Sequence, residues 1–212
     1  MKKFEIVQRL VNPGIIAIMR ADSSEAMADA AGALLEGGVT AMEVTLTTPG
    51  ALAAISRIAA GFGEKVVIGA GSVLDGESAR AAILAGAGFL VTPVVRPDVI
   101  RIGNRYGKPV ICGAYTPTEA LQACEEGADF IKIFPADELG PQYMKNLLAP
   151  MPQLPLVPTG GVTPETARSF LDAGCVALGV GSALAGKAVL ERRDWKGLAA
   201  RAAEFIAAVG RT

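Results

Sequence analysis

The sequence predicts an α/β fold, a (β/α)8 TIM barrel with an extra N-terminal helix, spanning residues 1–212 as a single domain. Three observations carry that expectation. Eight short apolar runs alternate with Ala-rich helical segments along the chain. The runs are nearly continuous in Val, Ile, Leu and Ala, which is how strands buried on both faces of a parallel sheet read. No composition shift or linker marks a domain boundary, and 212 residues suit one barrel at the small end of the usual size. An open doubly wound sheet is the rival architecture, but no GxGxxG opens a βα turn in the right context.

The elements follow in order. A first helix is expected around Lys3–Leu10, ahead of the first strand. The strand runs are Ile15–Arg20, Ala41–Leu46, Val66–Val73, Phe89–Val95, Val110–Tyr115, Phe130–Phe134, Leu156–Gly161 and Val176–Ser182. Thr48-Pro49, Arg96-Pro97, Thr116-Pro117, Gly140-Pro141 and Thr163-Pro164 place Pro where a first helical turn tolerates it. Thr116 and Glu119 have the spacing of a capping box. Gly37-Gly38, Gly107, Gly127 and Gly174 sit where helices end on a glycine. A last helix is expected over Trp195–Val209.

Composition then excludes whole classes of function. Charge is balanced, 20 Lys+Arg against 21 Asp+Glu, so there is no footprint for nucleic acid and no polybasic face for a membrane. The longest uncharged window, Asn146–Pro164, holds five prolines and cannot be a membrane helix. Cys112, Cys124 and Cys175 are odd in number, far apart and free of any CxxC, which suits buried thiols in a reducing compartment. The N-terminus lacks an apolar signal region, so a cytoplasmic protein is expected. There is no His at all. His-based nucleophile systems and His-ligated metals are thereby excluded, and acid–base work falls to carboxylates, Lys, Tyr or Cys. Neither a metal nor a cofactor is expected.

An internal repeat narrows the site. Gly38-Val39-Thr40-Ala41-Met42-Glu43-Val44 aligns with Gly127-Ala128-Asp129-Phe130-Ile131-Lys132-Ile133 and with Gly174-Cys175-Val176-Ala177-Leu178-Gly179-Val180. Glu43, Lys132 and Gly179 therefore hold matching positions in strands 2, 6 and 8. Alternate strands of this barrel share interior layers, so Glu43 and Lys132 are expected to face each other across the interior. Burial lowers a Lys pKa and frees the amine to attack carbonyls. A purely structural ion pair between the two explains the same pattern. The segments Pro158-Thr159-Gly160-Gly161 and Gly179-Val180-Gly181-Ser182 leave strands 7 and 8, where this fold places its recurrent phosphate site. Two tight turns are the plain alternative. Taken together, an amine, a carboxylate and an anion cradle suit Schiff-base chemistry on a phosphorylated keto compound.

Glu43-Val44-Thr45-Leu46, Gly69-Ala70-Gly71-Ser72-Val73-Leu74, Thr92-Pro93, Lys132-Ile133-Phe134-Pro135-Ala136 and Pro158-Thr159-Gly160-Gly161 resemble the class I 2-keto-3-deoxy-6-phosphogluconate (KDPG) aldolases and their relatives that cleave 4-hydroxy-2-oxoglutarate (KHG). The resemblance runs from about Gly14 to the last helix. It implies that Lys132 forms the Schiff base and Glu43 moves the protons. It implies that Gly160, Gly161 and Ser182 hold the phosphate, and that Ser72 stands near the pyruvate carboxylate. Pro93, Phe134 and Thr159 would line the pocket, and Arg20 would stand at its mouth. It also implies a keto-acid phosphate substrate and a homotrimer. An aldolase for the C4 epimer, 2-keto-3-deoxy-6-phosphogalactonate, or another pyruvate aldolase with a different aldehyde is the alternative among enzymes, and a non-catalytic sugar-phosphate-binding barrel is the alternative of another class. Two departures stand out. Thr47 occupies the position where many members carry an Arg for the substrate carboxylate. Tyr115 is bulky for its strand end and is expected to narrow the pocket.

Overall fold

The structure is a computed structural model, and it describes residues 1–210. The strands are β1 (Ile15–Met19), β2 (Ala41–Thr45), β3 (Val67–Gly71), β4 (Phe89–Val91), β5 (Val110–Ala114), β6 (Phe130–Ile133), β7 (Leu156–Pro158) and β8 (Leu178–Val180). They pair in parallel in the order β7-β6-β5-β4-β3-β2-β1-β8. The ring closes where Thr159 bridges Gly179 and where the Val176 N–H donates to the Leu156 carbonyl at 3.0 Å. This is the (β/α)8 barrel expected from the alternation of apolar runs.

Helices follow the strands outside the ring. In order they are α1 (Lys3–Val11), α2 (Met27–Glu36), α3 (Ala51–Phe62), α4 (Gly76–Leu84), α5 (Pro97–Arg105) and α6 (Pro117–Glu125). Then come α7 (Gly140–Leu148), α8 (Pro164–Asp172), α9 (Ser182–Ala185), α10 (Lys187–Arg192) and α11 (Trp195–Val209). Their ends obey local chemistry. The Thr116 hydroxyl accepts the Glu119 N–H at 3.3 Å, and the Glu119 carboxylate accepts the Thr116 N–H at 2.8 Å, so α6 opens on a reciprocal cap. One start differs from expectation. Thr48-Pro49 forms a turn, and α3 opens two residues later behind Gly50, whose φ of +74° is a left-handed conformation. The short α9 and α10 are invisible to periodicity, since four and six residues do not complete two turns. Among the described residues no helix is long and apolar enough to cross a membrane.

Two apolar layers hold the barrel. The outward faces of the strands pack on the helices, with Leu34, Ile55 and Phe205 fully buried there. Inside the ring, Ala41, Val67, Phe89, Ile111, Phe130 and Val157 form a second cluster at the N-terminal ends of the strands. Ile6 and Leu10 of α1 join that cluster and close this end. A side chain on Gly69 would meet the Phe89 ring at 2.5 Å, so a missing Cβ on β3 makes room for the large ring on β4. The interior is thus solid below, which leaves the opposite end for chemistry.

Candidate active site

Two residues further along the same strands the interior changes character. Ala41 gives way to Glu43, Phe130 to Lys132, Val157 to Thr159 and Ala177 to Gly179. Strand alternation keeps all four on the inner face. Glu43 is 2% exposed and Lys132 is 7% exposed, and both border a cavity of about 580 Å³ at the C-terminal end of the barrel. A side chain on Gly71 would collide with the Glu43 carboxylate, so the glycine of β3 shapes the space that Glu43 fills.

Burial dominates the electrostatics. It raises the Glu43 carboxyl above the usual carboxylate range, against the pull of Lys132 and then Arg20. It lowers the Lys132 amine from the usual lysine value; Glu43 opposes that and Arg20 adds to it. The two side chains share one interior and each responds to the other's charge. Lys132 Nζ lies 4.7 Å from the centre of the Phe134 ring. A buried amine pushed toward neutrality beside a carboxyl pushed toward protonation has the chemistry that a nucleophile and a proton carrier need.

The rest of the cavity is built from strand ends. Ile18 and Arg20 come from β1 and the residue after it, and Pro93 from the end of β4. Pro93 is fixed by Thr92, whose hydroxyl donates to the Val94 carbonyl at 2.7 Å and accepts the Gly113 N–H at 3.0 Å. Ser72 follows β3 with φ +56°, a left-handed conformation that L side chains rarely adopt outside tight functional turns. Gly160 (φ +99°) and Gly161 (φ +68°) carry the chain off β7, and Gly179 and Ser182 line the β8 side. Among the described residues, the N–H groups of Gly161 and Ser182 have no protein acceptor, so they remain available to an anion, whereas Gly160 directly follows the Thr159–Gly179 bridge that closes the ring.

Of the residues singled out in the sequence, Arg20, Glu43, Ser72, Pro93, Lys132, Phe134, Thr159, Gly160, Gly161, Gly179 and Ser182 all border this cavity. Thr47 does not. Strand parity would carry it inward, but β2 ends at Thr45 and the Thr48 N–H turns back onto the Thr45 carbonyl at 2.9 Å. Thr47 therefore lies in a separate groove with Pro49, Leu52 and Ser78, its hydroxyl 3.1 Å from that of Thr45. Tyr115 is also outside. It is 44% exposed, and its carbonyl accepts the Tyr143 hydroxyl at 2.8 Å, so it does not narrow the cavity.

Comparison with known proteins agrees with this geometry. The model of the family described as "KDPG and KHG aldolase" matches residues 6–200. The chain belongs to that family. It is 40% identical over 171 residues to the Escherichia coli K12 2-dehydro-3-deoxy-6-phosphogalactonate aldolase, covering 80% of this chain and 83% of the relative. It is 34% identical to the Pseudomonas aeruginosa 2-dehydro-3-deoxy-phosphogluconate aldolase, over 85% of this chain and 82% of the relative. It also superposes, with a TM-score of 0.81 and 26% identity, on the Legionella pneumophila KDPG aldolase solved with pyruvate captured as a covalent carbinolamine intermediate. That match covers 89% of this chain and 92% of the other. The protein is accordingly a class I, Schiff-base aldolase, a carbon–carbon lyase.

Sequence reasoning missed several parts of this aldolase's cavity. Ile18, Gly181 and Lys187 border it, and Gly71 shapes it. Ile18 and Gly181 could have been found by extending the inward parity of Ile16 and Gly179. Lys187 had no such signal, because it follows the strand by several residues in a segment without period.

Proposed function

We propose that this aldolase cleaves 2-keto-3-deoxy-6-phosphogluconate to pyruvate and glyceraldehyde 3-phosphate, with 4-hydroxy-2-oxoglutarate, giving pyruvate and glyoxylate, as a second substrate. The observation that carries this is the presence of Lys132 and Glu43 in one cavity that the Gly160–Gly161 turn and Ser182 also line. The Lys132 amine attacks the keto carbon, and loss of water leaves an iminium. Glu43 takes the C4 hydroxyl proton through water. The C3–C4 bond breaks, its electron pair flows into the iminium as an enamine, and the aldehyde departs. Glu43 returns a proton to C3, and water releases pyruvate and the free amine. Arg20, Ser72 and Pro93 would hold the pyruvyl end, Phe134 and Thr159 would flank the chain, and Gly160, Gly161, Gly179 and Ser182 would receive the phosphate.

A second reading, cleavage of the C4 epimer 2-keto-3-deoxy-6-phosphogalactonate, rests on the 40% identity to the Escherichia coli galactonate enzyme. Both epimers give the same two products, so relative kcat/KM on each decides between them. The test of the chemistry is incubation with pyruvate and borohydride, which should add one reduced pyruvyl group at Lys132. Folded protein without that adduct would overturn the Schiff-base reading and favour a binding barrel.

A homotrimer is part of the same proposal. Leu74, Val94, Tyr115 and Phe134 leave successive strand ends exposed, and such apolar side chains suit burial between subunits. Sedimentation equilibrium should return three times the 21.7 kDa chain mass.

A further inference from the structure

The cavity carries a second lysine that the chemistry above does not use. Four charged side chains border it: Arg20, Glu43, Lys132 and Lys187. The first three form one electrostatic group, in which Glu43 and Lys132 each respond to the other and to Arg20. Lys187 stands apart. Its charged partners are Asp22, with Nζ 2.5 Å from Oδ2, and Glu191 at 3.7 Å. Lys187 and Asp22 are 56% and 76% exposed, and an ion pair that open to water contributes little. Its exchange for another anion is therefore easy, and the flexible four-carbon stem gives the amine reach.

The adjoining β7 side of the cavity supplies no cation of its own. The Gly160–Gly161 turn offers the Gly161 N–H but no charge, and Asp137 packs against it. A side chain on Gly161 would meet the Asp137 Cα at 2.6 Å, and one on Gly160 would lie 3.6 Å from the Asp137 carboxylate. A carboxylate beside the turn opposes a dianion there. We propose that Lys187 leaves Asp22 when substrate binds and pairs with the terminal phosphate, making it the residue that sets preference for phosphorylated over unphosphorylated keto acids.

This inference rests on the aldolase reading above, and two assays separate their failures. Direct calorimetric titration with inorganic phosphate needs no turnover, and Lys187→Met should weaken it about tenfold or more, the worth of one charge-assisted hydrogen bond. In steady-state cleavage, the same variant should raise KM for the phosphorylated substrate by about that factor, with a far smaller change for 4-hydroxy-2-oxoglutarate. Lys187→Arg should restore most of the loss, and Asp22→Asn, which frees the amine, should lower KM. Lys196→Met, an exposed charge outside the cavity, controls for net charge. Unchanged phosphate binding in Lys187→Met, or an equal KM rise on both substrates, would overturn the assignment of Lys187. Loss of the pyruvate adduct in the parent would instead overturn the aldolase reading and leave the phosphate titration to judge Lys187.

Discussion

The two ends of the barrel interior are made by the same strands and differ in everything else. At the N-terminal end Ala41, Phe89, Phe130 and Val157 fill the ring, and Ile6 and Leu10 seal it. At the C-terminal end, one inward position further on, Glu43, Lys132 and Thr159 border an open cavity. The lower layer is close-packed and holds the ring at fixed diameter. The upper layer carries two ionisable groups whose burial opposes their charged forms. Two buried ionisable groups can be held beside an open cavity at one end because the other end supplies rigidity by packing alone.

Substitutions can sharpen this division. The largest expected effect is in the upper layer. Lys132→Met should abolish aldol cleavage and pyruvate trapping while leaving the circular dichroism spectrum unchanged. Glu43→Gln, which keeps shape and removes proton transfer, should lower kcat by about a hundred- to ten-thousand-fold. The lower layer should respond oppositely. Phe89→Ala should cost about 3–5 kcal/mol in denaturant unfolding, with near-parental activity per folded molecule. A Phe89→Ala variant that stays stable but loses catalysis would break the comparison.

A smaller effect is a pH shift. Burial lowers the Lys132 pKa, so the reactive free amine should form through an inflection below the ordinary lysine value of 10.5. The rate of pyruvate trapping should rise with pH up to that inflection and level off above it. Glu43 holds the Lys132 proton on and Arg20 drives it off. Glu43→Gln should therefore move the inflection down, and Arg20→Met should move it up. The smallest effects are expected just outside the cavity. Thr47→Ala and Tyr115→Phe should each change kcat/KM by less than about twofold, since neither side chain borders the cavity and each substitution removes little more than a hydroxyl.

Much of this was legible in the sequence, for local reasons. The apolar runs located all eight strands because a strand buried on both faces has no polar alternative. The caps at Thr116 and Thr163 named their helices because a helix end must satisfy its own N–H groups. The match between Glu43 and Lys132 survived because inward parity and opposite strands follow from counting. Thr47 shows where counting stops. Its parity pointed inward, but the Thr45–Thr48 turn ended the strand first and swung the side chain into another groove.

The sequence by itself determined the alternation of elements, their caps, and the placing of one amine and one carboxyl on the inner face. All of these depend on spacings of a few residues. Tertiary structure alone decided which strand-end side chains reach the cavity. It excluded Thr47 and Tyr115, admitted Lys187, and set the pKa directions of Glu43 and Lys132. Those outcomes depend on where distant strands end and how much protein surrounds each charge, and neither is written in a residue's neighbours along the chain.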